Sequence, residues 1–157
     1  MKAAARRVQE ALAALGIDRE VIELSVSART SREAAAALGV NVAQIAKSLL
    51  FMADGSPVLV IASGANRVNE LKLERLAGGA IRKADADTVK RVTGFSIGGV
   101  PPVGHAAPLA TFIDRDLLQY EVIYPAAGLP ECVFPISPAE LLRATGGTVA
   151  DLKVEPA

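Results

Sequence analysis

Two apolar runs, Leu49-Leu-Phe-Met52 and Val58-Leu-Val-Ile-Ala62, flank Asp54-Gly55-Ser56-Pro57, and this pattern constrains the fold more than any other feature of the chain. Asp-Gly is a hairpin signal, because a tight two-residue turn needs positive φ, which Gly adopts freely and Asp tolerates. Unbroken apolar runs of this length fit strands covered on both faces. A lone hairpin cannot cover itself, so the remaining segments must be built around it, and the hairpin is expected at the centre of the fold.

The surrounding segments announce themselves mainly through caps. Residues 1–15 carry Lys2, Arg6 and Arg7 ahead of an Ala/Leu stretch, but Gln9-Glu10 interrupts it. Val8, Leu12 and Leu15 recur at helical spacing, which predicts an amphipathic helix rather than a signal peptide. Residues 21–26 read as a strand. Thr30-Ser-Arg-Glu33 is a capping box opening an Ala-rich helix that stops at Gly39, and Asn41-Val-Ala-Gln44 repeats the signal for a short helical turn ending near Lys47. Asn69 caps a helix through Leu76, Asp85 one to about Val92, and Ser137-Pro-Ala-Glu140 opens the last, which ends at Gly146-Gly147. Residues 95–97, 111–113, 120–124 and 132–134 read as short strands bounded by Gly or Pro. The interleaving is too irregular for strict βαβ alternation. The expected class is α/β, with a mixed, partly closed barrel-like sheet surrounded by helices.

A chain of 157 residues fits one domain, expected to span 1–157. Hydrophobic residues at 51% and charged ones at 22% describe a soluble globular protein, and aromatics at 4% with no Trp point to an aliphatic core. Seventeen basic and seventeen acidic side chains cancel, so any nucleic-acid contact must be local rather than global. Cys132 is the single cysteine and His105 the single histidine, which excludes an intramolecular disulfide and leaves no Cys/His ligand set; no metal and no cofactor are expected. No run approaches a membrane span, and the expected location is the cytoplasm of the cell.

Three features carry candidate chemistry. The first is Thr93-Gly-Phe-Ser-Ile-Gly-Gly-Val-Pro-Pro-Val-Gly-His105, where Pro101 and Pro102 fix the path while Gly98, Gly99 and Gly104 permit close backbone approach. Such a loop either aims main-chain N–H groups at a substrate oxygen or is a wide turn between strands. It is neither a phosphate loop nor a dinucleotide fingerprint. The second is Lys47, where the short helical turn meets the apolar strand: it either satisfies helix C-terminal carbonyls or reaches into a cleft to hold a phosphate or ribose oxygen. The third is His105, a surface residue or a general base; no Gly-x-Ser-x-Gly elbow accompanies it, and the partners of a triad are not visible. Cys132 sits in an apolar run as a small hydrophobe.

In order along the chain, Gln44-Ile-Ala-Lys47-Ser48-Leu49-Leu50, Val60-Ile-Ala-Ser-Gly64, Thr93-Gly-Phe95, Gly98-Gly-Val-Pro-Pro-Val-Gly104, Ile113-Asp114, the segment 124–128 and the last capped helix resemble the YbaK/EbsC family and the editing insertion of bacterial prolyl-tRNA synthetases. The resemblance spans residues 22–150. It implies a hydrolase acting in trans on mischarged tRNA, at the acceptor end, with tRNA(Pro) and prolyl-tRNA synthetase as the associated partners and neither membrane nor DNA involved. Within it, Lys47 is the residue tied to activity, placed against the terminal adenosine and its phosphate. The Gly-x-x-x-Pro loop, here Gly98 to Pro102, binds the aminoacyl group through backbone, with Gly99 the expected oxyanion donor, and a terminal ribose hydroxyl of the tRNA assists the attacking water. Ser48, Gly98, Val100, Pro101, Pro102, His105, Ala126, Ala127 and Gly128 are the substrate-binding positions the resemblance suggests.

Departures bear on the substrate. Relatives that hydrolyse cysteinyl-tRNA carry a Ser and small residues where this chain has Ala126-Ala127-Gly128, an acidic residue at Val133 and Thr at Ser48. Alanyl, 2-aminobutyryl, seryl and threonyl esters are the candidates. Two rival readings are a non-catalytic RNA-binding module and a small-molecule esterase.

Overall fold

The computed structural model describes residues 1–25 and 28–156. Helix α1 (Ala3–Ala14) buries Ala5, Val8 and Leu12 along one stripe, whereas Leu15, expected on that stripe, lies past the helix end and is 44% exposed. Strand β1 (Ile22–Glu23) is much shorter than the 21–26 segment, whose last residue lies outside the described residues. Helix α2 (Ser31–Leu38) opens with the reciprocal Thr30/Glu33 box and closes on Gly39 at φ 72°. Each such cap is worth about 1 kcal/mol, enough to fix where a short helix begins.

The Asn41/Gln44 box also forms, but over a single 3-10 turn, Val42–Gln44. Strand β2 (Ile45–Ala53) starts at once. Lys47 is therefore its third residue and does not sit at a helix end, because the ladder to β3 (Ser56–Ser63), which begins at Ala46↔Ser63, takes the backbone groups that another helical turn would need. The turn between β2 and β3 has positive φ at both Asp54 (46°) and Gly55 (82°), the type I′ pattern. Val58, Leu59, Val60, Ile61 and Ala62 are all buried, so β3 is covered on both faces.

Helix α3 (Glu70–Ala77) follows its Asn69 cap, then come strand β4 (Ile81–Lys83), helix α4 (Ala86–Thr93), strand β5 (Ala110–Asp114), the two-residue strands β6 (Tyr124–Pro125) and β7 (Cys132–Val133), helix α5 (Pro138–Thr145) and strand β8 (Thr148–Ala150). Residues 95–97 are not a strand, and most of 120–124 is not either, since Arg115–Gln119 coils into a 3-10 helix and only Tyr124 enters β6. The edge strands β4 and β8 carry too few apolar residues to stand out in the sequence.

The sheet is mixed, in the order β4-β2-β3-β5-β8: β2 pairs antiparallel with β3 and β4, while β3–β5 and β5–β8 are parallel. It stays open, with β4 and β8 at its edges, and β1 pairs with β7 in a separate two-stranded ribbon. On one face Leu59, Ile61 and Ile113 join Val8 and Leu12 of α1 and Leu141 of α5; on the other, Phe51, Val60 and Ala62 meet Leu73 of α3.

β6 lies on the same side of β2 as β4, but pairs only with Ile45 and Ala46. β4 pairs with Phe51, Met52 and Ala53, extended by the bond from Ala84 N–H to the Leu50 carbonyl at 3.1 Å. Among the described residues no strand lies beside residues 47–49, and the sheet is split there.

Candidate functional site

A cavity of about 450 Å³ occupies this split. Pair alternation in an antiparallel ladder, counted from the hydrogen-bonded pair at the turn, directs the main-chain groups of Ala53, Phe51, Leu49 and Lys47 toward β3 and those of Ser48 away from it. The bond from Gly64 N–H to the Ile45 carbonyl at 2.7 Å fits this count. Ser48 thus presents an unpaired backbone edge to the cavity.

Side chains alternate along β2, so neighbours face opposite ways. Ala46, Ser48 and Leu50 share the face that meets Val89 of α4 and Val100 of the glycine–proline loop. Lys47 shares the other face with Leu49 and Phe51, and Lys83, directly opposite Phe51, shares it too. All of these residues line the cavity, which therefore wraps around one strand edge, with cations on one side and an apolar chamber on the other.

Lys47 is half-buried, and among the described residues it makes no ion pair. Burial pushes its ammonium below the ordinary lysine value; Asp114 draws it back up, and Arg67 and Lys83 push it further down. Arg29, which lines the cavity, Arg67 and Lys83 are exposed and likewise outside any ion pair among the described residues. Asp114 is buried at the end of β5, where Ser63 N–H (3.0 Å) and Asn66 Nδ2 (2.9 Å) donate to Oδ2 and Asp116 N–H (3.0 Å) to Oδ1. Its carboxylate therefore anchors the ends of β3 and β5 beneath the lysine.

Of the positions named from sequence, Lys47, Ser48, Gly98, Val100 and Ala126 line the cavity, whereas Gly99, Pro101, Pro102, His105, Ala127 and Gly128 do not. Gly99 corrects the expectation of an unobstructed donor. Its N–H donates to the Ser96 carbonyl at 3.0 Å and its carbonyl accepts from Gly128 N–H at 2.9 Å. The N–H groups of Gly98 and Val100, both of which line the cavity, have no main-chain partner among the described residues and are free to donate. Pro101, Pro102 and Val103 are buried and set the loop's path, with Thr93 Oγ1 accepting from Phe95 N–H at 3.0 Å at its entrance.

His105 Nε2 lies 2.6 Å from the Pro101 carbonyl. A carbonyl only accepts, so Nε2 carries the proton, and the imidazole serves as a brace across the loop. Burial lowers its pKa, and the Pro101 bond partly offsets that. Cys132 is buried, and that burial raises its thiol pKa. Among the described residues no His, Cys, Asp or Glu lines the cavity, and no group of three or more such residues is placed to hold a metal ion. No helix among them is long and apolar enough to cross a membrane.

Such a site defines a class: an α/β protein whose pocket offers cations, free backbone donors and an apolar chamber, with no side-chain nucleophile and base in contact among the described residues. The family profile described as "Aminoacyl-tRNA editing domain" matches residues 25–144, and the chain belongs to that family. A solved structure described provisionally as a trans-editing enzyme for prolyl-tRNA synthetase superposes with a TM-score of 0.96 at 47% identity, covering 99% of each chain. The uncharacterized protein YwhH of Bacillus subtilis (strain 168) is 32% identical over 125 residues, 79% of this chain and 80% of its own length. A proline–tRNA ligase of Maridesulfovibrio salexigens is 36% identical over 81 residues, 51% of this chain but only 13% of that protein.

Arg67, Lys83 and Arg29 were not visible as candidates in the sequence. Each is an isolated cation there; the pairing of β4 with β2 brings Lys83 beside Lys47, the segment after β3, held by the bond from Val154 N–H to the Arg67 carbonyl at 2.9 Å, brings Arg67 within electrostatic reach of it, and Arg29, just ahead of α2, lines the same cavity.

Proposed function

We propose that the chain is a metal-independent aminoacyl-tRNA deacylase, acting in trans on tRNA(Pro) that carries alanine, 2-aminobutyrate, serine or threonine. The observation that carries this reading is the cavity wrapped around the free edge of β2, which divides a cationic face from an apolar chamber. A 3′-terminal nucleotide is anionic and suits Lys47 with Arg67 and Lys83; a small amino-acid side chain suits the chamber of Leu50, Val89 and Val100. The ester joining them then lies at the strand edge, within reach of the loop.

Hydrolysis needs a water oxygen to attack the ester carbonyl carbon while the bond to the ribose oxygen breaks and a proton moves from the water to that departing oxygen. The cavity supplies no carboxylate or imidazole for the transfer. A neighbouring ribose hydroxyl, brought by the substrate, relays the proton instead. The protein's contribution is positioning, together with stabilisation of the developing oxyanion by the N–H of Gly98 or Val100. A cationic locus on a chain of zero net charge also gives RNA a local footing.

The deciding experiment is a panel of misacylated tRNAs, with and without EDTA, each measured against spontaneous hydrolysis. Turnover of at least one small-amino-acid ester, retained in EDTA, is expected. Binding of tRNA without any turnover would leave an RNA-binding module, and activity recovered only with added divalent ion would overturn metal independence.

A further inference from the structure

We infer that Ser48 reads the side chain of the bound amino acid, so that the preferred ester carries a small hydroxylated residue, serine before alanine. This rests on the deacylase reading and names the substrate within it. Among the described residues, Ser48 Oγ is the only buried side-chain oxygen or nitrogen without a hydrogen-bond partner. Burying a hydroxyl with nothing to bond costs free energy that an alanine at the same place would not. The fold gains nothing visible from it, since the residue across the ladder is Ile61 and those beside it on the same face are Ala46 and Leu50. It is a polar group held ready in an otherwise apolar chamber.

Oγ is closed to solvent while Ser48 itself borders the cavity. With no bond to break, the side chain can turn between staggered χ1 wells and bring the hydroxyl to a ligand in the chamber. An alanyl methyl leaves the hydroxyl unsatisfied, whereas a seryl hydroxyl satisfies it through one hydrogen bond, in which either oxygen can be the donor. Apolar pockets separate substrates differing by a methyl group only weakly; a site that hydrogen-bonds a substrate hydroxyl separates them far more strongly. This single group therefore outweighs the apolar lining in choosing among the four candidate esters.

The test compares seryl- and alanyl-esters on the same tRNA(Pro), using wild type and Ser48→Ala. Wild type should favour the seryl ester by about 10- to 100-fold, the size of one satisfied buried hydroxyl. Ser48→Ala should bring the ratio close to unity with a melting temperature no lower than wild type, and Ser48→Thr, which keeps the hydroxyl, should retain a preference. A wild-type ratio at or below unity overturns the inference. So does a clear loss of melting temperature in Ser48→Ala, which would give the hydroxyl a structural task. If wild type hydrolyses no ester, the deacylase reading falls, and Ser48 is judged by calorimetry with 3′-serylamido- and 3′-alanylamido-3′-deoxyadenosine: tighter binding of the seryl amide by wild type only is expected, and equal affinities overturn it.

Discussion

The N–H of Gly128 donates to the carbonyl of Gly99 at 2.9 Å, and the two glycines are so close that a Cβ on Gly99 would lie 2.6 Å from the Gly128 carbonyl oxygen. Gly128 in turn rests on α1, where a Cβ of its own would lie 2.7 Å from the Ala4 carbonyl oxygen. The glycine–proline loop is thus stacked on a second turn, and that turn on the first helix. Arg7 adds to the stack, lying 4.3 Å from the centre of the Phe95 ring and donating to the Gly94 carbonyl at 2.8 Å.

Gly99→Ala should therefore act on stability before it acts on chemistry. Its new methyl meets backbone that cannot turn aside, and overpacking of this kind costs about 1–3 kcal/mol. Denaturant unfolding should show a lower midpoint with an unchanged m value. A midpoint equal to wild type would mean that the two turns separate freely.

Lys47→Ala should lose deacylation by about 10²–10³ while melting close to wild type, because among the described residues the ammonium has no ion pair to lose, and its burial already opposes the charge. Lys47→Arg should also be poor, since a planar guanidinium does not replace a compact ammonium. Single-turnover rates and melting curves on both variants decide the point; near-normal rates in a folded Lys47→Ala protein would remove the lysine from the mechanism.

Arg67→Gln and Lys83→Gln should raise KM with little change in kcat, because neither residue adjoins the expected ester position. Removing one cation from a phosphate should make the plot of log affinity against log salt shallower by about 0.7, the single-strand value. Unchanged salt slopes in both variants would place the RNA elsewhere on the surface.

The pH dependence of stability should carry the signature of His105. Its folded pKa lies below the ordinary value of 6.5 through burial, so as pH falls past 6.5 the unfolded chain takes up a proton that the folded one refuses. Stability is then lost between that pH and the lower folded pKa, with no further loss from this group below it. Melting temperatures of wild type and His105→Gln from neutral to mildly acid pH test this: wild type should fall more steeply. Parallel curves would mean that the imidazole titrates alike in both states.

Much of this architecture was legible in the chain. The Asp54-Gly55 hairpin, the caps at Thr30, Asn41, Asn69, Asp85 and Ser137 and the glycine stops are local chemistry, decided by the residue and its near neighbours, and they stand where the sequence places them. The ordered motifs around Lys47 and the glycine–proline loop pointed to the editing-domain family in the same way. Strand edges were not legible: 95–97 was apolar enough to suggest a strand yet had no neighbour to pair with, while β4 and β8 pair without an apolar signature. The site itself was decided only by tertiary structure. The split between β6 and β4, the gathering of Arg67 and Lys83 around Lys47, and the packing of Gly99 against Gly128 all depend on which distant segments lie side by side, and no local propensity encodes that.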